Sequence, residues 1–565
     1  DVSDLQPKDG FFIEGAEAAT VYFAHSISSG GDFNGDGFED IAIGVPDSNL
    51  NNTSGGYAYL VYGQSGATRG TVSMSAFNSA DGVFVSGAET ADYLGGTVNL
   101  SGDLNDDGYD DMVVAVPRED DGETNAGALY IIWGSASPSN IDISTDFNTA
   151  VGATNAAGFV ILGNESADEI GHYLTIDPQN AQFLDAGGDF NGDGVDDLLI
   201  GHNQSDFDSQ TNAGVGYLVF GRSGSTRSNF KLDTYKKEGF AFYNTGSGDN
   251  YVGHSVQFIG DYNGDGYNDV IIGAPQADGG ATDSGEAYVV FGNAGPEYQD
   301  VDLAALNGIN GFTITSADLN SKLGGTVSSA DVNGDGLTDV IIGATEIDIN
   351  GLNDNGAVVV LYGNTSPSHP DVVLESVPAG AGYIITGEND NDRSAFSVRG
   401  AGDVNGDGVD DFMISTIHDD DGGVSAGAAW IIFGLTGTSR GDIDLLTLSA
   451  SDGFKILGDA AADQFGRSAT AGDVNGDGYR DMIFSSVAGD NAGSFAGEVN
   501  VIWGKDFWAI VEPVSIGDAG LNNLVGSDAA DVLVSNGGLD ALSAGAGNDI
   551  VQIVDTGFFN IDGGR

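Results

Sequence analysis

Short apolar runs, each bounded by Gly, Asn and Asp, recur along most of the chain. Four kinds follow one another in a fixed order: an alternating segment such as GHSVQFIG, an apolar run such as DVIIGAP, a Gly-bounded run such as GEAYVVFG, and a last run such as GFTITS. β-Branched and aromatic residues dominate these runs, which is typical of strands, and helical periodicity is nearly absent. The pattern predicts an all-β protein.

A nine-residue pattern, D-x-N-x-D-G-x-x-D, separates the first and second runs in seven places. The copies lie about 70 residues apart, except for one interval of 86, and begin at Asp32, Asp103, Asp189, Asp261, Asp331, Asp403 and Asp473. Self-similarity at a fixed period is the signature of a repeat architecture. Four antiparallel strands in each of seven units predict a seven-bladed β-propeller.

The two ends of this repeat region fit together. The run GFFIEG, at residues 10–15, is of the fourth kind but precedes the first unit, whereas the seventh unit stops after its third run at residues 501–504. We therefore expect the N-terminal strand to complete the last blade, which closes the ring and removes an exposed edge. The propeller is predicted to span residues 1–504.

Oxygen-bearing side chains occupy positions 1, 3, 5 and 9 of every nonamer. Calcium takes six to eight hard oxygen ligands in a flexible loop, a backbone carbonyl at position 7 would add one, and Gly at position 6 permits a sharp turn. We therefore expect about seven calcium ions. The predicted ligands are Asp32, Asn34, Asp36, Phe38 and Asp40; Asp103, Asn105, Asp107, Tyr109 and Asp111; Asp189, Asn191, Asp193, Val195 and Asp197; Asp261, Asn263, Asp265, Tyr267 and Asp269; Asp331, Asn333, Asp335, Leu337 and Asp339; Asp403, Asn405, Asp407, Val409 and Asp411; and Asp473, Asn475, Asp477, Tyr479 and Asp481.

The alternative is a metal-free turn rich in Asp and Asn, in which the converging carboxylates would repel one another. Zinc is disfavoured because the loops lack Cys and His. A helical EF-hand is excluded because it needs an acid at position 12, where this chain has apolar residues such as Ile43 and Val114.

The units resemble FG-GAP repeats, the blade repeats of the seven-bladed propeller in integrin α subunits. The FG element appears as Phe465-Gly466 or as Leu94-Gly95, and the GAP element appears as Gly273-Ala274-Pro275 or, loosened, as Gly44-Val45-Pro46. Unlike integrins, this chain carries a nonamer in every blade. The resemblance implies calcium loops on the lower face and ligand binding on the upper face, through the loops between strands two and three and between blades.

The upper-face loops supply the predicted ligand-binding residues. They comprise the loop acids Asp120, Asp121, Asp206, Asp208, Asp419, Asp420 and Asp421, and the histidines His25, His172 and His254. The histidines share one repeat position, where the last blade has Arg467. Such a cluster at the channel mouth could bind a ligand or catalyse a reaction, or the position could simply tolerate polar residues. The acids could equally be solvated loop tips.

A second period follows a predicted linker at residues 505–524. Three consecutive nonapeptides in residues 525–565 carry Asp531, Asp540 and Asp549 at matching positions. They resemble the start of an RTX array, a parallel β-roll that binds calcium, and these three acids are its predicted ligands. This resemblance implies export from a Gram-negative bacterium by a type I system. The alternative is a Gly/Asp-rich linker.

The amino-acid composition excludes several classes of function. The formal net charge is −68, with 17 Lys and Arg against 85 Asp and Glu, so no basic face is available for nucleic acid. Cys is absent and no run of 18 apolar residues occurs, so neither a disulfide framework nor membrane insertion is expected. We expect a secreted, monomeric, non-enzymatic calcium-dependent adhesion module within a longer chain, binding a glycan or protein. The alternatives are an enzyme that cleaves polysaccharide or lipid with the His/Arg cluster, and a structural spacer.

Overall fold

A computed structural model describes residues 2, 5–16, 23–48, 54–66, 68–87, 89–121, 124–164, 169–171, 182–206, 212–246, 250–294, 299–489 and 496–505, together with six short backbone strands beyond residue 505. The chain forms two compact units, Asp1–Asp403 with Gly408–Trp503, and Val404–Asp407 with Gly504–Arg565.

Strands account for nearly all regular structure in the first unit. In chain order they are β1 (Gly10–Glu14); β2 (Ser26–Gly31), β3 (Asp40–Val45), β4 (Tyr57–Val61), β5 (Val72–Ser73) and β6 (Gly82–Ser86); β7 (Val98–Gly102), β8 (Asp111–Val116), β9 (Ala128–Ile132), β10 (Ile141–Asp142) and β11 (Gly158–Leu162); β12 (Leu184–Gly188), β13 (Asp197–His202), β14 (Val215–Val219), β15 (Phe230–Lys231) and β16 (Gly239–Tyr243); β17 (Ser255–Gly260), β18 (Asp269–Ala274), β19 (Glu286–Val290), β20 (Val301–Asp302) and β21 (Gly311–Thr315); β22 (Leu323–Ala330), β23 (Asp339–Ala344), β24 (Ala357–Leu361), β25 (Val372–Val373) and β26 (Gly382–Thr386); β27 (Ser397–Gly402), β28 (Asp411–Thr416), β29 (Ala428–Ile432), β30 (Ile443–Asp444) and β31 (Gly453–Leu457); and β32 (Phe465–Gly472), β33 (Asp481–Ser486) and β34 (Glu498–Ile502).

These strands form seven sheets, and each sheet is one blade of a propeller. Within a blade the four long strands pair antiparallel in chain order, so that β2, β7, β12, β17, β22, β27 and β32 are the innermost strands. Blade 7 is completed by β1, which pairs with β34 from Gly10↔Ile502 to Glu14↔Glu498. The N-terminal strand therefore closes the ring, as the sequence predicts.

The expectation of four strands per blade is incomplete. In six blades a two-residue strand adds to the outermost strand in parallel, for example β20 to β16 through Phe242↔Val301. Each short strand comes from the next blade, between that blade's third and fourth long strands. In five of the six blades the Asn or Asp side chain before it accepts a hydrogen bond from a backbone N–H of the outer strand, at Asn140, Asn229, Asp300, Asp371 and Asp442.

A short helix begins directly after each of these two-residue strands and places an apolar side chain in the core. The helices are α1 (Ile143–Asp146) and the 3₁₀ segments Met74–Ala76, Leu232–Lys237, Leu303–Ala305, Leu374–Ser376 and Leu445–Thr447. Among the described residues, β31 in blade 6 has no such parallel partner. The reason is topological, because the third and fourth strands of blade 7 are β34 and β1, which are not consecutive in the chain.

The core lies between adjacent blades. One buried cluster joins Ala42 and Leu60 of blade 1 to Val114 and Tyr130 of blade 2. All six residues of strands such as β3 and β8 are buried, because neighbouring sheets cover both faces. This explains why these runs are continuously apolar.

The second unit contributes six short strands: β35 (Ser515–Ile516), β36 (Asn523–Val525), β37 (Val532–Ser535), β38 (Asp540–Ser543), β39 (Ile550–Ile553) and β40 (Phe558–Asp562). They form two parallel three-stranded sheets, β35-β37-β39 and β36-β38-β40. Paired residues such as Leu533 and Val551 lie two nonapeptides apart in the sequence. The RTX interpretation of this segment stays a prediction.

Candidate functional site

Each nonamer forms the loop between the first and second strands of its blade. Position 6 is always Gly with a positive φ, such as Gly336 at 89°, and no atom lies within 4 Å of the place that a Cβ would occupy. Glycine is required there by backbone conformation rather than by crowding, because L side chains avoid this region. The turn folds the first Asp of the loop back over the residues that follow it.

The first Asp accepts the backbone donors of its own loop. In blade 5, the Oδ1 of Asp331 accepts from the N–H of Asp335 at 3.1 Å, and its Oδ2 accepts from the N–H of Gly336 at 2.8 Å. The same pair of bonds occurs in blades 1, 2, 3, 4 and 7. A carboxylate has about four acceptor sites, so the Oδ2 keeps a lone pair for a cation in all six blades, whereas the Oδ1 of Asp189, Asp261 and Asp473 accepts a second N–H.

The Asn at position 3 has the clearest unsatisfied ligand atom. The Oδ1 atoms of Asn105, Asn333 and Asn475 are buried without a hydrogen-bond donor. In two of these side chains the Nδ2 donates to the Asp at position 9, at 3.1 Å from Asn333 to Asp339. A buried carbonyl oxygen without a partner is costly, and a hard cation would satisfy it. The donor set therefore fits calcium, held by positions 1, 3 and 5.

The Asp at position 9 braces the blade. The Oδ2 of Asp339 accepts from the N–H of Val332 at 3.0 Å, and its Oδ1 accepts from the N–H of Gly363, beyond the third strand, at 2.8 Å. Equivalent pairs of bonds hold Asp40, Asp111, Asp197 and Asp269. Burial raises the pKa of Asp339 to about 8. This residue ties three segments together, and its part in calcium binding stays a prediction.

Position 8 of the nonamer, for which the sequence predicts no role, joins neighbouring blades. The carboxylate of Asp110 in blade 2 accepts from the N–H of Asp32 in blade 1 at 2.7 Å, and the N–H of Asp110 donates to the carbonyl of Asp32 at 3.3 Å. Asp196, Asp410 and Glu39 make the same side-chain bond to the preceding blade. Acids at this position are therefore clasps between blades. The sequence signal that could have revealed this role is the presence of an acid at position 8 in four of the seven nonamers.

Position 7 also contacts the preceding blade. The ring of Tyr109 covers the loop of blade 1, where a Cβ on Gly35 would lie 2.4 Å from the Tyr109 Cε1. Gly192 meets Tyr267, and Gly476 meets Phe38, in the same way. Each loop is thus held between its own blade and the next one.

The predicted ligand-binding acids have structural partners. Asp120, Asp206 and Asp420 each accept a backbone N–H five or six residues later, at 2.6 to 3.0 Å, from Asn125, Asn212 and Ser425. Those three donors all have a positive φ, so the carboxylate closes a tight loop. Asp121 accepts from the hydroxyl of Thr149. Asp208 lies outside the described residues, and ligand recognition by these acids stays a prediction.

In blade 6 the side-chain ammonium group of Lys455 lies within a cluster of acidic side chains. The Nζ of Lys455 lies 2.6 Å from Glu388, 2.8 Å from Asp419 and 2.7 Å from Asp421. Burial lowers the pKa of Lys455, but its hydrogen bonds to Asp419, Asp421 and Glu388 outweigh that effect and raise it. Glu388, Asp392 and Asp419 also bring one oxygen each to within 4.8 Å of one another. The ammonium group already neutralises the centre of this cluster.

The predicted histidine cluster is divided in the structure. His25 and Arg467 line a cavity in the central channel, whereas His254 does not line it. The imidazole of His254 is buried, with its Nδ1 3.1 Å from the Nδ2 of Asn203. His172 lies outside the described residues. Burial, and then Arg467, lowers the pKa of His25 to about 3, so the ring is neutral.

The remaining predicted metal ligands lie in the second unit. Asp540 is the first residue of β38. Asp531 and Asp549 lie outside the described residues. Within the described part of the chain, no helix has the length and apolar character needed to cross a membrane.

Comparison with known proteins identifies the repeats. The FG-GAP repeat family matches residues 23–61, 95–132, 252–290 and 323–361. These four segments run from the end of the loop before the innermost strand to the third strand in blades 1, 2, 4 and 5.

Similar proteins include phosphatidylinositol-glycan-specific phospholipases D and integrin alpha chains. The enzyme of Dictyostelium discoideum is 24% identical over 333 residues, which cover 56% of this chain and 31% of that protein. The Rattus norvegicus enzyme is 28% identical over 222 residues, covering 38% and 24%. Integrin alpha-6 of Gallus gallus is 30% identical over 139 residues, covering 24% and 12%. The chain therefore spans less than a third of the length of each of these relatives.

The matched repeats and the seven sheets agree with one another. Such a fold supports a binding module in general, since a rigid ring of blades presents many variable loops. The chain carries FG-GAP repeats, like those of integrin alpha chains, in a seven-bladed β-propeller.

Proposed function

We propose that the propeller is an extracellular calcium-dependent adhesion module that binds a glycan or protein through its upper-face loops. The observation that carries the calcium requirement is the buried, unpartnered Oδ1 of Asn105, Asn333 and Asn475, each between two loop aspartates. Three blades repeat the same unsatisfied oxygen at the same position of the loop, so the feature belongs to the repeat.

Calcium would bind on the lower face of the propeller, and the glycan or protein ligand would bind on the upper face. A cation bound by positions 1, 3 and 5 would rigidify a loop that the next blade already clasps through positions 7 and 8. Millimolar calcium outside cells fills sites with dissociation constants of about 10⁻⁴–10⁻³ M, whereas cytosolic calcium does not. The proposal includes a secreted origin, with the RTX-like second unit as a further calcium-binding element exported by a type I system from a Gram-negative bacterium.

The first experiment measures calcium itself. We expect calorimetric titration of the chelator-treated chain to show about seven sites, and a matched pair of variants assigns them. Asp335→Ala removes a predicted ligand, while Asp390→Ala removes an exposed acid outside the nonamers. Loss of one site in the first variant and none in the second supports the proposal, and the absence of calcium binding overturns it.

The second experiment addresses the ligand. Glycan and protein arrays are probed with the full chain in calcium and in EDTA. Calcium-dependent binding that Asp121→Ala weakens supports adhesion through the upper face. Failure to bind any arrayed ligand in calcium would instead favour a structural spacer.

An enzymatic function is the second candidate, because two of the three relatives named above are phospholipases D and because His25 and Arg467 share one cavity. Release of a phosphatidylinositol-glycan-anchored protein, or of a polysaccharide product, would support it if His25→Gln abolished turnover while leaving the melting temperature near that of the unchanged protein.

A further inference from the structure

Seven polar side chains form a ring inside the central channel. Each innermost strand contributes one residue at the same register, paired opposite the third residue of the next strand: Ser28, Asn99, Asp185, Gln257, Ser328, Arg399 and Thr470. All seven line one cavity of about 220 Å³. Further polar residues, among them Ser26, Ser101 and Ser468, line the same cavity, so the channel is a polar space that could hold solvent or a ligand.

Most ring residues also join neighbouring blades. The hydroxyls of Ser28, Ser328 and Thr470 accept backbone N–H groups of the next blade at 2.9 to 3.1 Å. Asp185 does the same with the N–H of Phe258 at 2.8 Å. The ring is therefore held in place by the backbone of adjacent blades and is a preorganised surface.

Arg399 is the cation of this ring. Its Nε donates to the carbonyl of Ala469 at 3.1 Å, and its Nη1 donates to the Oε1 of Gln182 in blade 3. A guanidinium has five N–H donors, and the described structure gives the others no acceptor. The half-buried Arg399 lines the cavity, where an oxyanion could accept its remaining donors in the bidentate geometry that arginine favours.

Asp185 is the carboxylate whose charge acts on Arg399, and this attraction opposes the effect of burial on the pKa of both groups. Asp185, the acid of the ring, accepts from Phe258 and Asn99 and forms no ion pair with Arg399 in the described structure. Burial lowers the pKa of Arg399 to about 10 and raises that of Asp185 to about 7. The arginine therefore stays charged at neutral pH, while the carboxyl is partly protonated.

A second arginine lines the same cavity. Arg467 contacts Gln464 through its Nη1 at 3.4 Å and lies against the ring of Phe396. Arg480, also in the lining, is paired with Glu39 at 3.0 Å. In a chain of net charge −68, this cavity concentrates positive charge behind low-dielectric walls, which focus the field.

We propose that the central channel binds a small oxyanion, carboxylate or sulfate in type, between Arg399 and Arg467, with the ring hydroxyls and amides binding its polar substituents. The volume is below the roughly 300–1,000 Å³ of pockets for drug-sized ligands, so the ligand is of monosaccharide size or smaller. This site is separate from the calcium loops and does not depend on the adhesion function, although it shares His25 and Arg467 with the cavity of the second candidate function.

The test is calorimetric titration of the full chain in 1 mM calcium, with three probes of matched solubility. Glucuronate represents a sugar carboxylate, sulfate an inorganic oxyanion, and glucose a neutral sugar. We expect binding of glucuronate, sulfate or both, and none of glucose. Binding of sulfate alone assigns an inorganic anion site, whereas tighter binding of glucuronate assigns an acidic sugar. No binding of either anion at about 10 mM overturns the proposal, since even weak sites reach this range.

Three variants locate the site. Arg467→Gln should weaken binding about tenfold, as expected for loss of one charge-assisted hydrogen bond. Asp185→Asn keeps an acceptor for Phe258 and removes a negative charge, so it should tighten binding several-fold in a folded protein. Arg222→Gln removes an exposed arginine outside the cavity and should change nothing. Anion binding that neither Arg467→Gln nor Asp185→Asn alters would place the anion elsewhere and refute the proposal.

Discussion

Asp335 and Asp339 stand four residues apart in one loop, yet the structure gives them different physical roles. Asp335 is exposed, and its carboxylate accepts one bond, from the N–H of Leu337 at 3.0 Å. Asp339 is fully buried and accepts three, from the backbone of Val332 and Gly363 and from the amide of Asn333. Replacing each with Ala therefore separates a predicted calcium ligand from a structural brace.

The expected losses in the free energy of unfolding follow from these hydrogen-bond partners. Asp339→Ala leaves three donors without an acceptor, at about 1–3 kcal/mol for each buried unsatisfied group, so the free energy of unfolding should fall by about 3 kcal/mol or more with or without calcium. Asp335→Ala loses one exposed bond, which costs about 0.5–1 kcal/mol in EDTA. In 2 mM calcium it should lose about 2 kcal/mol more, the linkage free energy of one site with a dissociation constant of about 10⁻⁴ M.

The assay is urea unfolding followed by circular dichroism, in 2 mM calcium and in EDTA. The deciding quantity is the calcium-induced gain in the free energy of unfolding, compared between the unchanged protein and each variant. If Asp335→Ala gains as much from calcium as the unchanged protein, Asp335 is not a ligand. If Asp339→Ala matches the unchanged protein in EDTA, the three-bond brace is refuted.

Three other changes test separate parts of the structure. Asn105→Ala should be neutral or slightly stabilising in EDTA, because it removes a buried amide without partners, and it should weaken calcium binding in titrations. Lys455→Gln should lower the free energy of unfolding by about 2 kcal/mol in thermal melts, since three carboxylates lose their shared cation, and neutralising one of them in a double variant should restore part of it. His25, whose pKa is lowered to about 3 in the folded protein, protonates near pH 6.5 when unfolded, so its own contribution to the free energy of unfolding should fall by about 2 kcal/mol between pH 6.5 and 5. Urea titrations at each pH should show this fall as a change in the difference between the unchanged protein and His25→Gln.

The sequence by itself determined the repeat, the number of blades and the way the ring closes. The nonamers recur at a near-constant period, and apolar runs of strand length follow each one, so local patterning and chain order were sufficient. The predicted pairing of the first strand with blade 7 is present from Gly10 to Glu14. The loops themselves were also readable from the sequence, whereas calcium binding by their positions 1, 3 and 5 stays a prediction.

Only the tertiary structure decided what several acids do. Asp110 and Asp339 look alike in the sequence, but one clasps the preceding blade and the other braces its own. The partners lie 78 and 24 residues away from these carboxylates, a distance that local periodicity does not encode. The same holds for the two-residue outer strands, whose pairing partners belong to another blade.

The ring of polar residues in the central channel shows most clearly what the tertiary structure decides and the sequence does not. Arg399 and Gln182 are separated by 217 residues, and they meet because closing seven twisted sheets brings all innermost strands around one axis. Seven polar residues scattered at one register along the sequence become one cavity only in three dimensions. Repeat period and loop chemistry are local properties that the sequence carries directly, whereas contacts between blades and across the channel arise from ring closure.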